Sequence, residues 1–453
     1  MLHDAHGWWI AEAGDPDPLP SLSGDTDADV VIVGGGYAGL WTAWHLFEAE
    51  PGARVVVLEA DRCGHGPSGR NGGFVSSLWL TFNRLVGMFG EARARELCAA
   101  SSDSVRAIGA WCDAQEVDAW YREAPHLLVS AAPGQDAAAS GAVDGREVVS
   151  LSPEAVQAVC ASPVLRGGVA AVLGATVQPA RLAFGLRERL LARGVRIFEG
   201  SPVRTLRGTV AETPGGRVRA GAAVVAINAR SGELKPLRNR LTVSSSHIVL
   251  TEPVPDVLDA IGWTGGEAIT DGRALLHYFR TTRDGRILFG WAGGRMAVGA
   301  RAGGRMDVDP EAVAQTHRDM LRIFPSLAGR RIEHAWGGPI DVSPTHQPAV
   351  VSLPGGRSFA AFGFTGNGVG PAHLAARALA SLALDRRDDS SRLAIVDPPR
   401  KPIPPEPLRI AGAVVIRKAV LRKEAAEERG ERADPVSRLL AGLPARLGMH
   451  IVR

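Results

Sequence analysis

Lysine is nearly absent from this chain of 453 residues. Lys235, Lys401, Lys418 and Lys423 stand among 51 basic residues, so arginine carries almost all the positive charge. The skew reads as the codon bias of a high-GC bacterium, not as a binding feature. Cysteine is as scarce, and Cys63, Cys98, Cys112 and Cys160 form no C-x-x-C pair. That excludes the usual zinc and dithiol motifs, so no metal site is expected, and scattered thiols suit a reducing cytoplasm. The N-terminal stretch MLHDAHGWWIAEAGDPDPLP lacks a basic segment followed by an apolar core, so no secretory signal is expected. Neither sign of charge dominates. The net charge of +3 argues neither for nor against nucleic acid, and no nucleic-acid partner is expected. No internal repeat is evident.

Long apolar runs are missing too, with one near exception. DVVIVGGGYAGLWTAWHLF (29–47) approaches the length of a membrane span, but its three consecutive glycines and the acids Asp27 and Asp29 favour another reading. Residues 30–33 are a β-branched run, as in a strand buried on both faces. Gly34, Gly36 and Gly39 follow in G-x-G-x-x-G spacing, then a helix-like segment, then a second strand over 54–58 that ends in Glu59, twenty residues after Gly39. Gly34 permits the tight turn, Gly36 lets the backbone approach a pyrophosphate, and Gly39 lets helix and strand pack closely. The phosphates would sit on the positive helix N-terminus. Glu59 would accept hydrogen bonds from the adenosine ribose, which disfavours NADP. The fingerprint does not separate FAD from NAD.

The next stretch does. In an NAD enzyme the second strand usually leads into another helix, whereas here it leads into GHGPSGRNGGFVS (64–76). A flavin needs cover along its ribityl chain and ring. Ser68, Arg70 and Asn71 can donate to phosphate and ribityl oxygens, and Gly69, Gly72 and Gly73 allow backbone amides to reach the ring. A solvated glycine-rich turn is the alternative on composition alone.

The motifs VVIVGGGYAGL, VVVLEA and GPSGRNGG together resemble the D-amino acid oxidase-like FAD-dependent oxidoreductases, from about residue 27 to residue 385. The SGRNGG loop is closest to that of gamma-glutamylputrescine oxidase-type amine oxidases. The resemblance implies an α/β fold, in which a Rossmann-like FAD-binding domain of the glutathione reductase type is interleaved with an antiparallel-sheet substrate domain. Residues 27–84, 160–243 and 335–396 would form the first; 85–159 and 244–334 the second. It implies FAD contacts from Gly34, Gly36, Tyr37, Ala38, Gly39, Glu59 and Ala60, and from Ser68 to Gly73. Later contacts would come from Val203, Asn228, Gly338, Gly363, Thr365, Gly366, Asn367 and Gly368. The last five lie in FGFTGNGVG (362–370), before an apolar helix. Amides there would stabilise negative charge on the reduced ring.

The implied chemistry is oxidation of a C–N bond of a small-molecule amine, with hydride passing to flavin and electrons to O2 or another acceptor. In ALLHYFRTT, alternation puts Leu276, Tyr278 and Arg280 on one face. Tyr278 and Arg280 are the candidate catalytic residues, holding a polar or anionic substrate; a structural ion pair for Arg280 is the alternative. One departure stands out. The amino acid oxidases of the family carry W-x-G-x-R-P, whose arginine clamps the substrate α-carboxylate. Here AWGGPIDVSP (335–344) has Pro339 and Ile340 instead, which favours an amine without that group. No cysteine follows Cys160, so the late-cysteine flavin linkage is impossible and FAD is expected to be non-covalent, with His65 the one nearby doubt. Residues 397–453 read as a proline-rich linker and a basic helical tail, with twelve Arg and Lys against six Asp and Glu from Arg400 onward. A helix docked on the body is the favoured reading. A membrane-surface helix, suited to a dehydrogenase that feeds a quinone, is the alternative. A flavin protein that binds or tailors without turning over free amines stays open as well.

Overall fold

The computed structural model describes residues 2–3, 6–136, 145–401, 403–447 and 449. The tail's last residues, 450–453, lie outside them. Two large sheets carry the architecture. In the first, the strand Thr26–Val33 runs parallel to Val55–Leu58 on one side and to Gly216–Val225 on the other. Arg196–Phe198 extends this sheet beyond Val55–Leu58, and Ser358–Phe362 joins it parallel to Gly216–Val225. Alternate residues of the central strands go to opposite faces. Val30, Ile32, Val55 and Val57 meet Leu40, Leu186 and Leu379 of three helices, while Val31, Val56 and Leu58 meet Leu22 and Ala211. Both faces are covered, so the strands read as unbroken apolar runs. Each such side chain contributes roughly 1.5–3 kcal/mol on burial.

The second sheet has nine strands and is largely antiparallel, in the order Leu2–His3, Ile332–Val342, Thr242–Thr251, Ile287–Trp291, His277–Thr281, Ala268–Asp271, His126–Val129, Gly168–Ala171 and Val148–Leu151. It therefore takes Gly168–Ala171 and, of Ile332–Val342, residues 335–342, which the sequence-based boundaries assign to the dinucleotide layer. Its outer face packs Phe279 and Phe289 against Trp263 and Phe324. Its inner face, with Ile248, Leu250, Leu288 and Trp336, closes on the helices Pro179–Ala192 and Trp8–Ala13. Pro179 opens the first of these in its first turn, and Gln178 caps it by accepting from Arg181 N–H.

The tail docks through charge. Helix Leu408–Glu428 brings Glu424, 2% exposed, against Arg273 of the second sheet's end. Arg273 Nη2 donates to Glu424 Oε2 at 3.0 Å, and the Ala274 and Leu275 N–H groups donate to Oε1 at 2.7 and 3.1 Å. Asp271, His277 and Asp319 complete the buried network. Among the described residues no helix is long and apolar enough to cross a membrane.

Candidate functional site

The glycine turn after Thr26–Val33 is built for close approach. Gly34 has φ +112°, and a Cβ there would lie 2.4 Å from Ala226 O; a Cβ on Gly39 would lie 1.9 Å from Gly34 O. Only glycine fits either place. Helix Tyr37–Ala49 starts at Gly36 with no side-chain cap of its own, so its N-terminal amides face the turn. Tyr37 N–H donates to Ser68 Oγ at 2.9 Å, which brings the 64–76 loop onto that helix end. The Tyr37 and Ala38 side chains are buried, so these residues offer main chain alone. The Tyr37 hydroxyl donates to Pro179 O at 2.7 Å. Glu59 Oε2 accepts from Gly35 N–H at 2.6 Å and Oε1 from Asp61 N–H at 2.9 Å. Each oxygen keeps a further lone pair for a ribose hydroxyl, and burial raises the carboxyl pKa. Ala60 follows, exposed, at the same strand end, and Val203 is half-buried beyond Arg196–Phe198. These features fit a dinucleotide with its pyrophosphate on the helix end and its ribose at Glu59.

The loop is less open than its composition suggests, because Pro67–Arg70 forms a short helix. Asn71 Nδ2 donates to Pro67 O and Ser68 O at 3.0 and 2.8 Å, and its Oδ1 accepts from Gly73 N–H at 2.7 Å. Arg70 reaches Asp307 at 3.3 Å, and its carbonyl accepts from Trp336 Nε1–H at 2.7 Å. Both side chains thus fasten the loop, and their donation to phosphate and ribityl oxygens stays an expectation. Asn71 finds its carbonyl acceptors within the folded loop itself, whereas Arg70 finds Asp307 far along the chain. The Gly69 and Gly72 backbone remains, and a Cβ on Gly69 would lie 2.3 Å from Gly64 O. His65 Nε2 pairs with Asp15 Oδ1 at 2.8 Å, and all four cysteines are buried thiols.

Tyr278 and Arg280 share a face, as alternation requires, but that face meets the back of the loop. The Tyr278 ring lies 3.1 Å from where a Gly72 Cβ would stand, and its hydroxyl pairs with Ser246 Oγ at 2.8 Å. Arg280 is 3% exposed, and its Nη1 donates to Val177 O at 2.7 Å and Gly73 O at 3.2 Å. Burial pushes its pKa down to about 9. With Nε donating to Thr281 O at 3.0 Å as well, the guanidinium serves three main-chain carbonyls, a structural role beside the expected substrate-binding one. Leu276 of the same face is the one that lines the cavity.

The closing turn is organised by a residue that sequence reasoning missed. Asp341, fully buried near the end of Ile332–Val342, accepts from Gly363 N–H at 2.5 Å through Oδ2 and from Asn228 Nδ2–H at 3.2 Å through Oδ1. Its carbonyl accepts from Thr365 N–H at 2.9 Å. Burial pushes its carboxyl up to about 7. Gly363, Thr365 and Gly366 all have positive φ, +81°, +52° and +79°. For a β-branched threonine that is a strained conformation. Gly368 and Asn367 complete the turn before helix Val369–Ala383. Gly338 sits opposite Ser246 in the neighbouring strand, and nothing lies within 4 Å of where its Cβ would stand. The only sequence signal for Asp341 is a lone acid in an otherwise apolar and glycine-rich run.

A cavity opens beside this turn. Phe364, Thr365 and Asn367 line it, with Ile340 and Ser244 from the second sheet, Leu78 and Thr81 from the turn before the Phe82–Phe89 helix, and Arg84 from that helix's first turn. Ala413, Ile416, Arg417 and Val420 of the tail helix form its roof. The tail is thus part of the cavity wall, which its weak sequence pattern did not reveal.

Three comparisons place this chain among known proteins. The chain is 30% identical over 418 residues, 89% of its own length and 94% of the relative's, to gamma-glutamylputrescine oxidoreductase of Escherichia coli. It is 26% identical over 407 residues, 85% and 90% of the two lengths, to a probable oxidoreductase, OrdL, of Rhizobium meliloti. In three dimensions it is similar to glycine oxidase from Bacillus cereus, with TM-score 0.63, 20% identity, and 80% of this chain and 98% of that one covered. It is also similar to L-proline dehydrogenase from P. horikoshii, with TM-score 0.64, 17% identity and 82% and 96% coverage. These likenesses show an α/β fold in which an FAD-binding layer is interleaved with an antiparallel substrate sheet. The model of the FAD-dependent oxidoreductases matches residues 29–382, and the chain belongs to that family of FAD-dependent enzymes.

Proposed function

We propose that the enzyme oxidises the carbon next to nitrogen in a small amine, with FAD held non-covalently and O2 as the final acceptor. The observation that carries the substrate class is Ile340. It lines the cavity beside the flavin turn, at a position where the family's amino acid oxidases are expected to carry a carboxylate-clamping arginine. An apolar wall there suits the carbon chain of an amine and leaves an α-carboxylate without a partner. Gamma-glutamylputrescine oxidoreductase, the E. coli relative, has a name that fits an amine substrate. Bound FAD supplies the hydride acceptor. The protein's part is to orient the substrate, keep water out beneath the tail roof, and hold the turn amides that Asp341 fixes near the ring's negative end. No side-chain base is invoked, since a neutral amine already carries the reactive lone pair. The experiment is an amine panel read as peroxide formed per amine consumed, with acid precipitation to show that FAD is released. Peroxide that tracks an amine supports the proposal; failure of every amine to reduce the flavin refutes it.

A second reading rests on a separate observation. Among the described residues, seven of nine exposed large apolar side chains lie in the tail: Leu408, Val414, Val415, Val436, Leu439, Leu443 and Leu447. In a segment rich in Arg and Lys, these suit contact with an anionic membrane surface and delivery of electrons to a quinone. Co-sedimentation with anionic vesicles, together with reduction of a soluble quinone in preference to O2, would favour this reading over the oxidase.

A further inference from the structure

The cavity beside the flavin turn has a guanidinium that nothing among the described residues satisfies. Arg84 lies in the first turn of helix Phe82–Phe89, lines the cavity and is half-buried. Among the described residues it makes no hydrogen bond or ion pair, and burial alone lowers its pKa. The other arginines nearby are engaged. Arg417 in the roof gives Nε and Nη2 to Gly293 O at 2.9 and 2.5 Å, and Arg280 is spent on Val177 O and Gly73 O. A half-buried guanidinium without a counter-charge is only partly compensated by water, and its planar fork matches a carboxylate.

A second unmet need lies beside it. Gln347, 2% exposed, lines the same cavity and donates from Nε2 to Thr81 Oγ1 at 3.4 Å. Thr81 gives its own proton to Leu78 O at 2.8 Å, so its oxygen can only accept, and that sets which way the Gln347 amide faces. Gln347 Oε1 is left buried with no partner. Thr81 and Arg84 are one helical turn apart, so a cation lacking an anion and an acceptor lacking a donor share one wall.

We propose that Arg84 binds a carboxylate of the substrate, carried on an atom other than the carbon that is oxidised, with Gln347 Oε1 taking an N–H or O–H of the same molecule. The proposal rests on the amine-oxidoreductase reading above for the identity of the substrate, but its test does not need turnover. The holoenzyme is titrated with glutarate and with the uncharged glutaramide at constant ionic strength, following the flavin absorbance spectrum. Glutarate should perturb the wild-type spectrum saturably. Arg84→Ala should weaken that binding at least tenfold and Arg84→Lys by less, while glutaramide binding should not change between proteins. Thermal unfolding and flavin content, unchanged in the variants, separate a ligand role from a structural one. Three outcomes would overturn the proposal: glutarate binding equally well to Arg84→Ala, no glutarate binding to the wild type, or loss of flavin from Arg84→Ala. If glutarate binds through Arg84 yet no amine reduces the flavin, the carboxylate site stands and the amine-oxidoreductase reading falls.

Discussion

Asp341 Oδ2 accepts the Gly363 backbone N–H at 2.5 Å, so a buried carboxylate, and not the glycines alone, fixes the turn proposed to meet the flavin. Removing it with Asp341→Ala frees the Gly363 amide and the Asn228 amide together, and FAD affinity should fall by roughly 1.5–3 kcal/mol, read by FAD titration of the apoprotein. A pH effect accompanies it. The folded pKa of about 7 lies above the ordinary value of 3.8. The contribution is therefore fully present below about pH 4 and is lost as pH rises from 4 to 7. Asparagine does not titrate. Relative to Asp341→Asn, wild-type stability in urea with excess FAD should fall across that window by on the order of a few kcal/mol. Parallel pH profiles would contradict the burial argument.

Glu59→Ala should weaken FAD binding by roughly 1.5–3 kcal/mol, the worth of hydrogen bonds to a charged acceptor. The Gly35 and Asp61 amides that now donate to Glu59 would also lose their partner, so the turn itself should loosen. Equilibrium dialysis or flavin fluorescence checks this. Unchanged affinity would mean the acid does not serve the cofactor.

Arg280→Ala should act on the loop and not on the substrate. It leaves Val177 O without its donor and takes one of two donors from Gly73 O, which keeps the Val177 N–H; this should cost about 1–3 kcal/mol of stability and some FAD retention. The amine concentration for half-maximal flavin reduction should stay within about twofold in the flavin-loaded variant, a change under 0.5 kcal/mol. A large rise in that concentration with stability intact would return Arg280 to the substrate.

Arg273→Ala should detach the tail. It strands Glu424, Asp319 and Asp271 in the buried network without their shared guanidinium, and breaking such a pair costs about 3–5 kcal/mol. Urea unfolding gives the loss, and limited proteolysis should cut within 408–428 first. A loss below about 1 kcal/mol would show that the apolar contacts of Val420 and Ala419 hold the tail on their own.

The dinucleotide half was legible because its signal is local. Strand, glycine turn, helix, strand and acid all fall between Thr26 and Glu59, and each residue's job follows from backbone geometry at that spot. The strand alternation of Leu276, Tyr278 and Arg280 was equally readable. What stands opposite them was not, since Arg280 meets Gly73 across 207 positions of sequence and Val177 across 103. The bonds of Asn71 to Pro67 O and Ser68 O were not legible, because they depend on a helical turn that the glycine content hides. Asp341 and Arg84 carry no motif at all. One is set apart by being satisfied where charge should be costly, the other by being unsatisfied where a partner should exist.

The central claim is the substrate class, and the most direct measurement is the rate of flavin bleaching under anaerobic conditions. Primary and secondary amines, some bearing an acid several carbons from the nitrogen, are set against glycine, D-alanine and D-proline at equal concentration. With Ile340 in the wall, an α-carboxylate has no partner beside the reacting carbon, since Arg84 is proposed to take an acid carried on another atom, and the cost is roughly 2–5 kcal/mol. The best amine should therefore bleach the flavin at least tenfold faster than any of the three amino acids. Bleaching by glycine, D-alanine or D-proline faster than by every amine would contradict it.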